Sequence, residues 1–190
     1  MKKLAIFLLI LCLNNLLIAQ EEEPEDHETW EFILEGIGDV CQYAIPLSGG
    51  LISIIEKDYE GTKMITKAII TNVAITYILK DVTHRKRPEG RELYDAFPSG
   101  HTSAAFTGAS FIQVRYGRKY GIPAYILAAI TGVSRVEGPD GYHDFWDVLA
   151  GAAVGIGSTY MFTKPYEKNK VTLRFSSNKD LRLLSFTYTF

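Results

Sequence analysis

A chain of 190 residues is the length of one domain. Its 47% hydrophobic content and mean hydropathy of +0.03 exclude a disordered polymer. A net charge of −2 lacks the basic footprint of a nucleic-acid-binding protein, so no nucleic-acid partner is expected.

In chain order, residues 1–20 read as an export signal or N-terminal anchor. Met1-Lys2-Lys3 supplies the positive start, residues 4–13 the apolar run, and Ile18-Ala19-Gln20 a cleavage point. Of the two cysteines, Cys12 lies in that run, so a processed chain keeps only Cys41, read as a small buried apolar residue with no disulfide. Residues 21–31 are acidic, contain Pro24 and read as a linker.

Five apolar stretches come next, at residues 32–55, 64–79, 102–114, 122–133 and 146–162. None alternates as a half-buried strand does, and each is long enough for a helix, so the expected fold is all-α, a bundle of about five core helices over residues 32–165. Gly151 and Gly155 form a G-x-x-x-G pair suited to close helix packing. In the C-terminal extension, 166–190, Val171, Leu173 and Phe175 alternate with polar residues, Asn178-Lys179-Asp180 reads as a turn, and residues 181–190 are rich in Phe, Tyr and Thr. A short β-hairpin or extended tail is expected there.

If the five helices run up and down, the connections 80–101 and 135–147 meet at one end. The other end collects Arg115, Arg118, Lys119, Lys164, Lys168 and Lys170. The positive-inside tendency puts that basic end in the cytoplasm and the first end outside, as an exported N-terminus also does. The expectation is an inner-membrane protein whose site faces the periplasm, with a periplasmic or peripheral protein as the alternative, because the third and fourth stretches fall short of the ~20 residues of a spanning helix.

Three clusters carry chemistry. Lys80 and Arg87-Pro88 place a point charge and a bidentate fork in one connection. Pro98-Ser99-Gly100-His101 opens a helix, with Ser99 as N-cap, free amides that suit an anion, and His101 in the first turn. Ser134-Arg135 precedes a Gly/Pro turn, then His143 and Asp147, four apart on one helix face. A carboxylate so placed can hold one imidazole nitrogen and leave the other as nucleophile. A metal site built from His101, His143, Asp144 and Asp147 is the rival, disfavoured by three cations that would repel a metal.

These residues resemble the phosphatidic acid phosphatase type 2 superfamily, which also contains vanadium haloperoxidases. Its signature is Lys-x6-Arg-Pro, Pro-Ser-Gly-His and Ser-Arg-x5-His-x3-Asp, and the resemblance covers about residues 64–162. One departure stands out: seven residues, 136–142, separate Arg135 from His143 where the family has five. The resemblance implies a metal-independent, cofactor-free phosphatase in which Lys80, Arg87, Arg135, Ser99 and Gly100 hold the phosphoryl oxygens. His143, oriented by Asp147, attacks phosphorus to give a phosphohistidine, and His101 protonates the leaving group. The implied substrate is a membrane lipid phosphate: phosphatidate, an isoprenyl diphosphate or the phosphorylated sugar of lipid A. The alternatives are a vanadate-dependent haloperoxidase and a non-catalytic envelope protein of the same fold.

Overall fold

The structure is a computed structural model and describes residues 29–88, 92–139, 141–166, 171–178 and 181–188. The export segment at 1–20 and the acidic run at 21–28 lie outside the described residues, as do Lys168 and Lys170. Five helices form the body: α1 (Thr29–Ile55), α2 (Tyr59–Thr83), α3 (Gly100–Tyr116), α4 (Arg118–Glu137) and α5 (Phe145–Tyr160). Strands β1 (Val171–Asn178) and β2 (Leu181–Tyr188) pair antiparallel, with Asn178 opposite Leu181, as the alternation in the tail predicts. The helical architecture matches the sequence expectation, though Thr29, Trp30 and Glu31, read as linker, belong to the first turn of α1.

The helices outrun the apolar stretches because polar residues cap them. Asp58 accepts the Gly61 amide at 2.9 Å to start α2, and His84 ends it in the left-handed conformation, its amide reaching the Lys80 carbonyl. Asp144 and Asp147 form a reciprocal capping box at the start of α5, each carboxylate accepting the other's amide at 3.0 Å.

Helix α3 is the axis against which the others pack, and small residues set the distances. A Cβ on Gly151 would lie 2.5 Å from the Ser99 carbonyl, and one on Gly155 2.3 Å from the Ser103 carbonyl. The G-x-x-x-G pair therefore presses α5 onto α3 at backbone contact. Gly108 receives Pro46 of α1 in the same way.

The interior is small and polar. Thr102, Ser103, Thr107, Ser110, Thr131, Ser158 and Thr159 are buried, beside an apolar cluster that includes Cys41, Ile45, Ile65, Phe111 and Ala128. Cys41 is a free buried thiol, as expected. Large apolar side chains such as Leu47, Ile54, Ile70, Ile78, Ile126 and Trp146 face outward. Among the described residues no helix is long and apolar enough to cross a membrane.

Arg115, which the sequence places in the basic end, is instead buried. Its guanidinium donates to both oxygens of Asp58, at 2.7 and 2.6 Å, and to the Lys164 and Pro165 carbonyls, both at 2.9 Å. Arg118, Lys119 and Lys164 remain exposed at that end.

Candidate active site

All three clusters meet at the end of the bundle opposite the Asp58–Arg115 pair. Lys80 lies in the last turn of α2, where the helix ends in solvent-facing loop. The connection to α3 then folds back on itself: the Arg87 amide donates to the Leu93 carbonyl at 2.9 Å and the Ala96 amide to the Arg85 carbonyl at 3.0 Å. That turn brings Asp95 under Arg87, which grips it in bidentate fashion at 2.8 and 3.0 Å. Lys80 reaches the same residue, donating to the Asp95 carbonyl with its carboxylate 3.9 Å away. Arg87 holds the Asp95 carboxyl below the ordinary carboxylate range, against the opposing effect of burial.

Ser99 caps α3 as predicted, its hydroxyl accepting from the Thr102 amide at 3.4 Å and the Thr102 hydroxyl at 3.0 Å. It is fully buried, so its hydroxyl is occupied by the helix start. The Ser99 amide donates to the Asp147 carbonyl at 2.9 Å, tying the start of α3 to that of α5. A Cβ added to Gly100 would meet nothing within 4 Å, so an incoming group has room beside this first turn.

The two extra residues before His143 are absorbed locally. Val136 and Glu137 extend α4, Gly138 ends it, and the Gly141 amide closes a turn onto the Gly138 carbonyl at 2.9 Å. Gly141 has φ +47°, a left-handed conformation that favours glycine. The chain then returns so that the His143 amide donates to the Arg135 carbonyl at 3.1 Å. The longer spacing leaves His143 beside Arg135. Between them, the Tyr142 ring lies 5.2 Å from the Arg87 guanidinium and 5.7 Å from that of Arg135, setting both cations around one aromatic face.

His143 is buried. Its Nδ1 stands 3.7 Å from Asp147 Oδ2, beyond hydrogen-bond distance, and has no hydrogen-bond partner. Asp147 instead accepts from Arg85 Nη1 at 3.0 Å and from the Asp144 amide. Burial first, then Lys80 and Arg87, pushes the His143 imidazole from its ordinary 6.5 down to about 3. The ring is therefore neutral at physiological pH, with an unshared nitrogen pair available. His101 adds a smaller effect of the same sign, and its partner Asp39 also contacts Arg135, whose carbonyl accepts from the His143 amide.

Four residues of this end were not singled out in the sequence. Asp95 is the partner of Lys80 and Arg87. Arg85 joins Asp144 to Asp147. Glu35 and Asp39, from α1, meet Arg135: the Glu35 carbonyl accepts from Nη2 at 3.0 Å and Asp39 Oδ1 from Nη1 at 3.1 Å. A signal for Asp39 existed, since it is the one charged residue in the stretch 36–55. An ionisable group inside an apolar helix is a mark of function. Among the described residues no group of three or more His, Cys, Asp or Glu side chains is placed to hold a metal ion.

A buried Arg135, part-buried Lys80 and Arg87 with half-exposed carboxylate partners, two imidazoles and an open helix start make an arrangement that can exchange a side-chain carboxylate for a tetrahedral oxyanion. Residues 63–170 match the model of the PAP2 superfamily. The chain belongs to that superfamily. It is 29% identical over 182 residues to the lipid A 4'-phosphatase of Helicobacter pylori, covering 90% of each chain. The crystal structure of Aquifex aeolicus LpxE superposes with a TM-score of 0.60 at 20% identity, over 78% of this chain and 92% of that one. A transmembrane PAP2-type phosphatidylglycerolphosphate phosphatase from Bacillus subtilis gives 0.57 at 22% identity, over 84% and 92%. These likenesses show the PAP2 helical fold, and the chain is a PAP2-type phosphatase.

Proposed function

We propose that this PAP2 protein hydrolyses a membrane lipid phosphate through a phosphohistidine on His143, with no metal or cofactor. The observation that carries the reading is the meeting of three cations beside His143: Lys80 and Arg87 share Asp95, Arg87 and Arg135 flank the Tyr142 ring, and the His143 amide is bonded to the Arg135 carbonyl. Substrate phosphate takes the place of the Asp95 carboxylate on Lys80 and Arg87 and shares Arg135 with Asp39, and the open first turn at Gly100 receives one of its oxygens. Neutral His143 attacks phosphorus, and His101 delivers a proton to the departing oxygen. Ser99 then contributes by fixing that helix start. Asp147 lies close enough to take up His143 Nδ1 as the ring turns towards phosphorus.

Amphiphilic substrates suit the surroundings. Large apolar side chains outside and hydroxyl-bearing ones inside invert the usual soluble pattern and fit a hydrocarbon environment. We place the protein in a cell-envelope membrane with its basic end, Arg118, Lys119 and Lys164, on the cytoplasmic side and the site on the periplasmic side. The name of the Helicobacter pylori relative supports the phosphorylated sugar of lipid A as the substrate class.

The test is phosphate release from a panel of lipid phosphates with and without a chelator. The wild type is expected to be active in both conditions, and His143→Ala to lose at least about a thousandfold while keeping its far-UV circular dichroism. Normal turnover by His143→Ala refutes the assignment.

A further inference from the structure

Helix α1 precedes the segment matched by the family model, yet it places a carboxylate against two of the site's functional groups. Asp39 Oδ1 lies 3.2 Å from His101 Nε2 and 3.1 Å from Arg135 Nη1. The approach is built into the backbone. A Cβ on Gly38 would fall 1.9 Å from Ser134 Oγ and 3.1 Å from Arg135 Nη2, so only a glycine lets α1 come this near to α4. One turn earlier, the Glu35 carbonyl accepts from Arg135 Nη2 at 3.0 Å, fixing the rotation of α1 that aims Asp39 at the site.

An imidazole has two nitrogens, and a partner on one decides what the other does. With Nε2 held by Asp39, Nδ1 is the nitrogen left to face a substrate. We propose that Asp39 is the positioning residue of the acid histidine, presenting His101 Nδ1 to the leaving oxygen and coupling that ring to Arg135 on the phosphoryl group. The inference rests on the phosphatase reading given above. In the step concerned, a nitrogen of His143 bonds to phosphorus as the bond from phosphorus to the ester oxygen breaks. The electron pair of that bond stays on the oxygen, which takes the proton from His101. The carboxylate acts through His101, and the proton starts and ends on groups already named.

A leaving group that needs no proton separates this role from a structural one. The experiment measures kcat/KM, which reports the steps through leaving-group departure, for a lipid alkyl phosphate and for p-nitrophenyl phosphate, with wild type and Asp39→Asn in detergent. Each loss is taken within one ester, so the ratio of the two losses is independent of the fraction of variant that folds. General acid catalysis contributes typically 10²–10⁴-fold, so loss of its positioning is expected to lower the alkyl ester by about 10–100-fold. The nitrophenyl ester should fall by less than about threefold, because nitrophenolate departs unprotonated. Equal losses on both esters, or none on either, overturn the inference and leave the phosphatase reading intact. A wild type that releases phosphate from neither ester overturns the phosphatase reading, and the inference with it.

Discussion

At the end of the bundle away from the site, a buried cation has a full and fixed set of partners. Arg115 spends its guanidinium on Asp58 and two carbonyls, and Tyr116 completes the cage by donating to Asp58 Oδ2 at 3.0 Å. At the site end, Lys80 and Arg87 share Asp95, His101 and Arg135 share Asp39, and both carboxylates are about half exposed, at 46% and 53%. Both ends use the same chemical groups. The difference is access: Asp58 and Arg115 are both buried and lock each other in place, whereas Lys80 and Arg87, part-buried beside a half-exposed carboxylate, can trade one anion for another.

The largest expected effect breaks the lock. Asp58→Ala leaves the Arg115 charge buried alone and should cost about 3–5 kcal/mol of stability, read as a lower melting temperature in detergent. The kcat/KM of the molecules that remain folded should change by less than about twofold. A variant that melts normally but turns over poorly would mean the two ends are coupled, contrary to the comparison. Next in size, Arg87→Lys removes the bidentate fork while keeping the charge. It should lower kcat/KM by about 10²-fold, as loss of a transition-state donor does, with little change in melting.

The smallest effect at neutral pH concerns His143. Its folded-state value is depressed from 6.5 to about 3 by burial and by Lys80 and Arg87. The unfolded chain therefore takes up a proton that the folded one refuses, and stability falls as pH drops from 6.5 towards 3. Above 6.5 the contribution is constant. His143→Gln should show a flatter melting profile across that acid window and match the wild type's slope above it. Parallel profiles throughout would mean the imidazole is not shielded as described.

How much was legible divides along the same line. Helix positions could be read from apolar runs, because many large apolar side chains face outward as well as inward. Their true ends could not, since Asp58 and His84 are local capping choices with no periodicity. The motif residues Lys80, Arg87, Ser99, His101, Arg135 and His143 were legible through spacing and arrive at one end of the fold. Their counter-charges were not: Asp39 and Asp95 are single residues whose relevance exists only once α1 and the 85–96 turn fold back. Asp147 shows a competition that spacing conceals. The four-residue interval that puts it on the face of His143 coincides with the three-residue interval from Asp144 that makes it a helix cap, and the cap and Arg85 hold it.

Two main-chain clasps, His143 to Arg135 and Ser99 to Asp147, have an evolutionary consequence. They pin His143 and the start of α3 to the scaffold, fixed posts beside the turn that the Gly141 amide closes onto the Gly138 carbonyl. Outside Gly141 and Tyr142, that turn can drift in length and composition, reshaping the rim of this end of the bundle while the spacing of His143, Arg135 and the α3 start stands still. A lineage could thus remodel the entrance of the site by editing a few rim residues without moving the groups beneath it.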